Sequence, residues 1–242
     1  MTDQWRVEAL EWDSEFWRRR VGRVSPDTDP DRGGKRVDGL ENTLDELDLA
    51  YLLWDADDVV GVQRSERAGF RMVDVRCEVS LALGHRTLSA SSTIRPVETA
   101  VDLEAAAGLA AVAHRNTRFG QDPCLDPDRV GDLYRAWMVR DFERADWKVL
   151  LAIVENRVAG YITHGPITSM TGTIGLIAVD PNARGAGLGR QLLDAALIER
   201  SNEGSTTMKV VTQGGSQAAM RMYQSAGFAV EQLGIWMHWH RR

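Results

Sequence analysis

TGTIGLIAVDPNARGAGLGRQLLDAALIERSNEG, residues 171–204, decides the fold. Its first nine residues are apolar or β-branched with glycine interleaved, the composition of a buried strand, and Asp180-Pro181 closes it. Gly185, Gly187 and Gly189 then lead into a helical pattern that runs to Gly204, where a C-terminal glycine is expected. A strand entering a helix through a glycine turn leaves the N–H groups of the first helical turn unpaired, with the positive end of the helix dipole behind them. The run Arg184, Gly185, Ala186, Gly187, Leu188, Gly189, Arg190 therefore reads as an anion site, and a pyrophosphate is its natural ligand. Two other phosphate motifs fail on spacing. GxGxxG needs glycine where Arg190 stands, and GxxxxGK[ST] finds no Lys-Ser/Thr pair here.

Outward from this stretch, strand and helix signals alternate. Thr99 caps a helix expected over 100–115, PDRVGDLYRAWMVRDFER (127–144) is a second amphipathic helix, and WKVLLAIVEN with RVAGYITHGP forms a hairpin over Glu155-Asn156-Arg157. After Gly204 come a strand at MKVVTQ (208–213), a short helix at SQAAMRMYQSAGF (216–228) and a final strand pair in AVEQLGIWMHWH (229–240). This order implies an α/β protein with a mixed, mostly antiparallel sheet flanked by helices. The polar connector GHRTLSASSTIRP (84–96) cannot pack a core and marks a boundary between residues 1–92 and 93–242. A weak repeat crosses it. ERAGFRMVDVRCEVSLAL (66–83) matches QSAGFAVEQLGIWMHW (224–239), each after a strand-like run, so the front part reads as the back half of the same fold, made again and truncated.

Composition removes whole classes of function. The chain has 242 residues, 43% hydrophobic and 26% charged, with a formal charge of −6. It can bury a substantial core, has no apolar run near the roughly 18 residues that span a bilayer, and begins with a charged stretch unlike a secretory leader. A cytoplasmic protein without membrane or nucleic-acid partners is expected, because a net acidic chain lacks the basic face that phosphate backbones require. Two cysteines, Cys77 and Cys124, are too few for a disulfide scaffold.

A strand ending in Asp-Pro and followed by Arg-x-x-Gly-x-Gly (Arg184, Gly187, Gly189) resembles the acetyl-CoA loop of the GCN5-related N-acetyltransferase (GNAT) family. The family continues with a strand, Asn-x-x-Ala-x-x-Leu-Tyr and Gly-Phe. Here the sequence has Ser216, Ala219, Met222 and Tyr223 at those places, then Gly227-Phe228, with Ser216 as the helix cap in place of Asn. The resemblance covers about 93–242. EALEWDSEFW, RAGFRMVDVRCEVSLAL, NTRFGQDPCLDPDRVGDLYRAWM and TTMKVVTQGGSQAAMRMYQSAGF extend it to the members of that family that acetylate dTDP-fucosamine for bacterial surface polysaccharides, which also carry a truncated front domain.

The resemblance implies an N-acetyltransferase with acetyl-CoA as co-substrate and the amine of a dTDP-amino sugar as acceptor. It places the pantetheine arm beside the strand, with backbone N–H groups of Ile177, Ala178 and Val179 polarising the thioester, the glycine loop and Ser216 on the cofactor, and Tyr223 as acid toward the leaving thiolate. Full transfer from a phenol to a thiolate is uphill by about 2 kcal/mol, so a strong hydrogen bond can suffice. Aligning the two Ala-Gly-Phe units sets Ser65 opposite Tyr223, so the front part is not expected to be a second catalytic centre. Asp74 and Glu78, four apart on one strand face, are the base candidates, with a water chain or a backbone carbonyl as alternatives. Arg115 and Arg118 are placed to grip a diphosphate while Phe119, followed by Gln121, stacks on a base. Tyr134 and Trp137 read as core.

No metal is expected: His238-x-His240 is one strand face short of further ligands, with His164 as a guess. Gly214-Gly215-Ser216 faintly matches a nucleophile elbow but is followed by too little chain for that fold. A peptide or aminoglycoside amine is the alternative acceptor, and it would want Asp122, Asp126 and Asp128 exposed. A non-catalytic acyl-CoA sensor is the other alternative. A homodimer is the default for a small enzyme.

Overall fold

The computed structural model describes residues 4–27, 35–84, 91 and 93–241. Residues 1–3 of the charged start and residues 85–90 and 92 of the polar connector lie outside the described residues. The front part runs β1 (Gln4–Ala9), α1 (Glu11–Trp17), β2 (Val21–Pro26), β3 (Lys35–Asp38), β4 (Leu49–Asp55), α2 (Val59–Arg67) and β5 (Arg71–Ala82). It is followed by β6 (Ile94–Pro96), α3 (Ala100–Ala113), α4 (Pro127–Glu143), β7 (Lys148–Val154), β8 (Arg157–Pro166), β9 (Thr171–Val179), α5 (Leu188–Asn202), β10 (Thr207–Gln213), α6 (Gln217–Ser225) and β11 (Ala229–His240).

These strands form one mixed sheet in the order β3-β1-β2-β4-β11-β5-β10-β9-β8-β7-β6. Pairing is antiparallel except between β2 and β4 and between β9 and β10. The repeat is visible as an exchange. β4-α2-β5 and β10-α6-β11 are the same strand-helix-strand unit, yet β11 lies between β4 and β5, and β5 lies between β10 and β11. Each half thus receives a strand from the other.

The expected final strand pair is instead a single strand of 12 residues with two register shifts against β5. Gly234 marks a close approach there, not a turn: an added Cβ would stand 2.8 Å from Leu53 Cδ1 and 3.0 Å from the Trp54 carbonyl oxygen on β4.

Helices cover both faces of the sheet. One core joins Cys77, Val79, Leu192, Leu193, Met208 and Phe228 beneath α5 and α6, and a second joins Tyr51, Phe119, Leu133, Met138 and Tyr161 beneath α3 and α4. α3 begins with a capping box in which Thr99 Oγ1 accepts from the Asp102 N–H at 3.1 Å and Asp102 accepts from the Thr99 N–H. Asp102 also takes both Arg95 Nη groups at 2.8 Å, tying edge strand β6 to the helix. Thr99→Ala is expected to cost about 1 kcal/mol in denaturant unfolding, with activity unchanged.

Candidate active site

β9 and β10 are parallel partners from Thr171↔Thr207 to Ile174↔Val210, where the register ends. The cause lies on the other side of β9. Against β8, Ile162 pairs with Ile177 and His164 with Ile174, so Gly175 and Leu176 both face Thr163 in a bulge. Thr163 Oγ1 accepts the Leu176 N–H at 2.9 Å and donates to the fully buried Asp141 Oδ2 at 2.8 Å. Gly175 has no room for a side chain: a Cβ would lie 2.5 Å from Trp147, 2.6 Å from Thr163 Oγ1 and 2.7 Å from Asp141 Oδ2. Beyond the bulge, residues 175–179 of β9 and 211–213 of β10 become facing walls of a cavity of about 1070 Å³.

The glycine loop forms one end of this cavity. Gly185 (φ +87°) and Gly187 (φ +75°) hold left-handed backbone, and Gly187 stands at the N-terminus of α5, so the first-turn N–H groups open toward the loop. Gly189 lets α5 approach α6: an added Cβ would meet Met222 Sδ at 3.2 Å. Arg184, Gly185, Gly187, Leu188, Gly189 and Arg190 line the cavity, whereas Ala186 does not. Arg190 Nε donates to Asp194 at 2.8 Å, which commits part of its charge, while Arg184 is exposed. A slot between splayed strands, ending on unpaired N–H groups, fits an extended arm that carries a pyrophosphate.

Ser216 lines the same slot next to α6, but its side chain makes no capping hydrogen bond, contrary to the cap expected of it. Tyr223, also in the lining, is 1% exposed and its ring meets Phe228 edge-on at 5.3 Å. Burial pushes its phenol above the ordinary tyrosine value, so it stays protonated. In the front half, Trp54, Gly61 and Ser65 stand where Thr212, Ala219 and Tyr223 line the cavity. There the Trp54 indole N–H donates to Ser65 Oγ at 2.9 Å, and its ring would stand 2.7 Å from a Cβ at Gly61. The equivalent space is filled by tryptophan.

At its other end the cavity reaches Asp74, Arg76, His114, Arg118, Tyr134 and Trp236. Asp74 is 6% exposed, and burial raises its carboxyl to about 6, with the N–H groups of Val75 and Arg118 and the Arg118 charge pulling the other way. The structure separates the two base candidates. Glu78 does not line the cavity; Arg76 Nη2 donates to it at 2.7 Å and Lys209 Nζ at 3.3 Å, and the hydrogen bond and charge of Arg76, then those of Lys209, hold its carboxyl below the ordinary value.

Arg118 sits among Trp236, Phe119 and Tyr51, its guanidinium carbon 4.0, 4.2 and 4.6 Å from their ring centroids. Its Nη1 has no hydrogen-bond partner, and among the described residues no acid lies within ion-pair distance of it. Arg115 and Gln121 are exposed and do not line the cavity. Phe119 is in the cavity lining, but it is 1% exposed and wedged against Trp17, Tyr51, Trp137 and His238.

Sequence reasoning missed His114. Its Nε2 lies 2.7 Å from Tyr161 Oη, its ring stacks on Tyr134 at 4.5 Å, and burial lowers its pKa to about 4, which keeps it neutral. Its place one residue before Arg115 and four before Arg118, both expected ligand residues, was the available signal. His164 is remote from His238 and His240: it faces Glu199 Oε2 at 3.3 Å, whereas His238 and His240 both meet Asp122. Asp122 is itself buried, so it is not the open acid a cationic acceptor would want.

Residues 113–228 match the Acetyltransferase (GNAT) family. The dTDP-fucosamine acetyltransferase of Escherichia coli O6:H1 is 30% identical over 176 residues, 72% of this chain and 73% of that one. A mycothiol acetyltransferase of Kocuria rhizophila is 32% identical over 168 residues, 64% of this chain and 49% of the relative, so the chain spans about half the length of that protein. The GCN5-related N-acetyltransferase of Kribbella flavida superposes with a TM-score of 0.57 at 15% identity, covering 90% of this chain and 80% of that structure. The chain belongs to the GNAT acetyltransferase family, whose enzymes use acetyl-CoA. Among the described residues no helix is long and apolar enough to cross a membrane.

Proposed function

We propose that the protein transfers the acetyl group of acetyl-CoA to the amine of a nucleotide-linked amino sugar of the dTDP-4-amino-4,6-dideoxyhexose type. The observation that carries this is the acceptor end of the cavity, where the buried Asp74 carboxyl, raised to about 6, and the Arg118 guanidinium, whose Nη1 has no hydrogen-bond partner, both line the wall. A sugar nucleotide carries an amine for the first and a diphosphate for the second. The relative named for dTDP-fucosamine supports the same acceptor.

Bound acetyl-CoA supplies an activated thioester carbonyl. The glycine loop and the first turn of α5 hold its pyrophosphate, and β9 backbone groups beyond the bulge face its arm and donate to the carbonyl oxygen as negative charge gathers there. Asp74, ionised above about pH 6, takes a proton from the acceptor nitrogen as the new C–N bond forms. Tyr223 directs its O–H at the sulfur as the C–S bond breaks. Because burial disfavours the phenolate, its contribution is a hydrogen bond to the thiolate rather than complete proton transfer.

The test is thiol release from acetyl-CoA with a dTDP-4-amino-4,6-dideoxyhexose, beside peptide and aminoglycoside amines. Release with the sugar nucleotide is expected, and Tyr223→Phe is expected to lower kcat about 10²-fold, with the KM for acetyl-CoA within twofold of the parent. Release with only the other amines would overturn the acceptor. Unchanged turnover in Tyr223→Phe would remove the tyrosine from the chemistry.

A further inference from the structure

The acceptor end of the cavity rests on a loop, residues 114–126 between α3 and α4, that brings His114, Thr117 and Arg118 to the wall. Within the loop, Thr117 Oγ1 donates to the His114 carbonyl oxygen at 3.0 Å and the Gln121 N–H donates to the Thr117 carbonyl at 2.8 Å. These bonds are local, within the loop itself. Besides the packing of Phe119 and the contact of His114 with Tyr161, the loop is tied to the sheet by Asp122, 4% exposed. One carboxylate oxygen, Oδ2, accepts from His238 Nδ1 at 2.6 Å and from His240 Nε2 at 2.7 Å, and the other accepts the Cys124 N–H at 2.9 Å. The two histidines follow Trp236 at two-residue spacing on the same face of β11, and the Trp236 ring stacks on Arg118, so strand and loop meet at both places.

The proton positions follow from the surroundings. His240 Nδ1 lies 3.4 Å from Arg19 Nη1, which can only donate, so the His240 proton belongs on Nε2, facing Asp122. His238 Nε2 is buried without a partner, and its Nδ1 proton serves Asp122. Both rings are therefore donors to one carboxylate. A bound cation fits this less well. It would need the lone pairs of those same nitrogens, would turn the other His240 N–H onto a guanidinium, and would require ligand atoms about 3.3 Å apart for a tetrahedral ion, wider than the contacts here.

We propose that Asp122 is a positioning residue, held by His238 and His240, that latches the 114–126 loop onto β11 and so sets Arg118 against Asp74 for the acceptor. The proposal rests on the proposed site only in taking that end of the cavity for the acceptor.

Asp122→Asn in the full-length protein tests it, with His240→Ala at the rim of the cluster as a milder second variant. Asp122→Asn is expected to raise the acceptor KM about tenfold, the scale of one hydrogen bond to a charged group, while KM and Kd for acetyl-CoA stay within twofold. Amide hydrogen exchange across 114–126 should accelerate in both variants, and the low-field imidazole N–H proton signals of the parent should disappear in Asp122→Asn. These last two readouts and acetyl-CoA binding need no acceptor, so they decide the latch even if the sugar nucleotide proves not to be the substrate. Unchanged exchange in the loop, or a parallel rise in both KM values, would overturn the proposal. Loss of the parent's imidazole N–H signals on adding one equivalent of Zn²⁺, with a rise in Tm, would replace the latch by a metal site.

Discussion

Asp74→Asn is expected to lower kcat/KM by about 10²- to 10³-fold at pH 8 while making the folded protein more stable. Both effects come from the same burial. In the parent, the Asp74 carboxyl titrates near 6 when folded and near 3.8 when unfolded. The native state therefore binds the proton more tightly, and stability falls as pH rises from about 4 to above 6, where the charged form must be kept in a poorly solvated place. The full gap corresponds to about 3 kcal/mol, an upper bound for the neutral amide, which accepts the Val75 and Arg118 N–H groups less strongly than the carboxylate does. Thermal unfolding should show similar Tm values for parent and variant at pH 4 and a higher Tm for the variant at pH 7. The parent's kcat/KM should climb through about pH 6 as the base ionises, and that limb should vanish in the variant. A variant that loses activity and also loses Tm at pH 7 would show that Asp74 is a structural anchor and not a base stored at a cost in stability.

Gly175→Ala is expected to damage stability and acetyl-CoA binding together. The added carbon would stand within 2.7 Å of Trp147, Thr163 Oγ1 and Asp141 Oδ2 together, and the last two are hydrogen-bonded to each other. Strand β9 would have to shift, breaking the Leu176 N–H bond to Thr163 and narrowing the gap to β10. Overpacking of this kind costs about 3 kcal/mol, or about 6–12 °C in Tm for a domain of this size. Calorimetric titration should show the affinity for acetyl-CoA falling at least about tenfold, because the slot exists only where the strands part. An Ala variant with parental Tm and acetyl-CoA affinity would mean that the bulge does not set the slot.

The glycine loop, the α3 cap and the order of strands and helices from 93 onward were legible because each is written in local periodicity or a turn residue: Thr99, Gly187 and Gly204 stand where the pattern asks for them. What neighbours a strand in a sheet is not local. Ala68-Gly69-Phe70 and Ala226-Gly227-Phe228 betray a repeat, but nothing in either says that β5 pairs with β10 or that Gly234 serves contact with Leu53 rather than a turn. The site divides in the same way. Asp74 and Glu78 share a face by spacing, and only the ion pairs of Arg76 and Lys209 with Glu78 tell them apart. Phe119 and Arg118 are adjacent in sequence, yet one is wedged in the aromatic core and the other keeps an unpaired nitrogen, a difference set by residues from α1, β4 and β11.

The strand exchange has a consequence for biosynthesis. β4 and β5 are made early, with 15 residues including helix α2 between them, and in the finished sheet a third strand separates them. A nascent chain that has emerged only as far as β10 holds two unpaired strand edges in the middle of its future sheet, a state open to mispairing with other chains. Closure must wait until residues 229–240 leave the ribosome and thread between β4 and β5, so the order of synthesis and the order of assembly differ. Non-productive pairing during that interval, rather than weak packing in the completed protein, is where yield would be lost on overexpression, and a chaperone that shields β4 and β5 until β11 arrives should raise it.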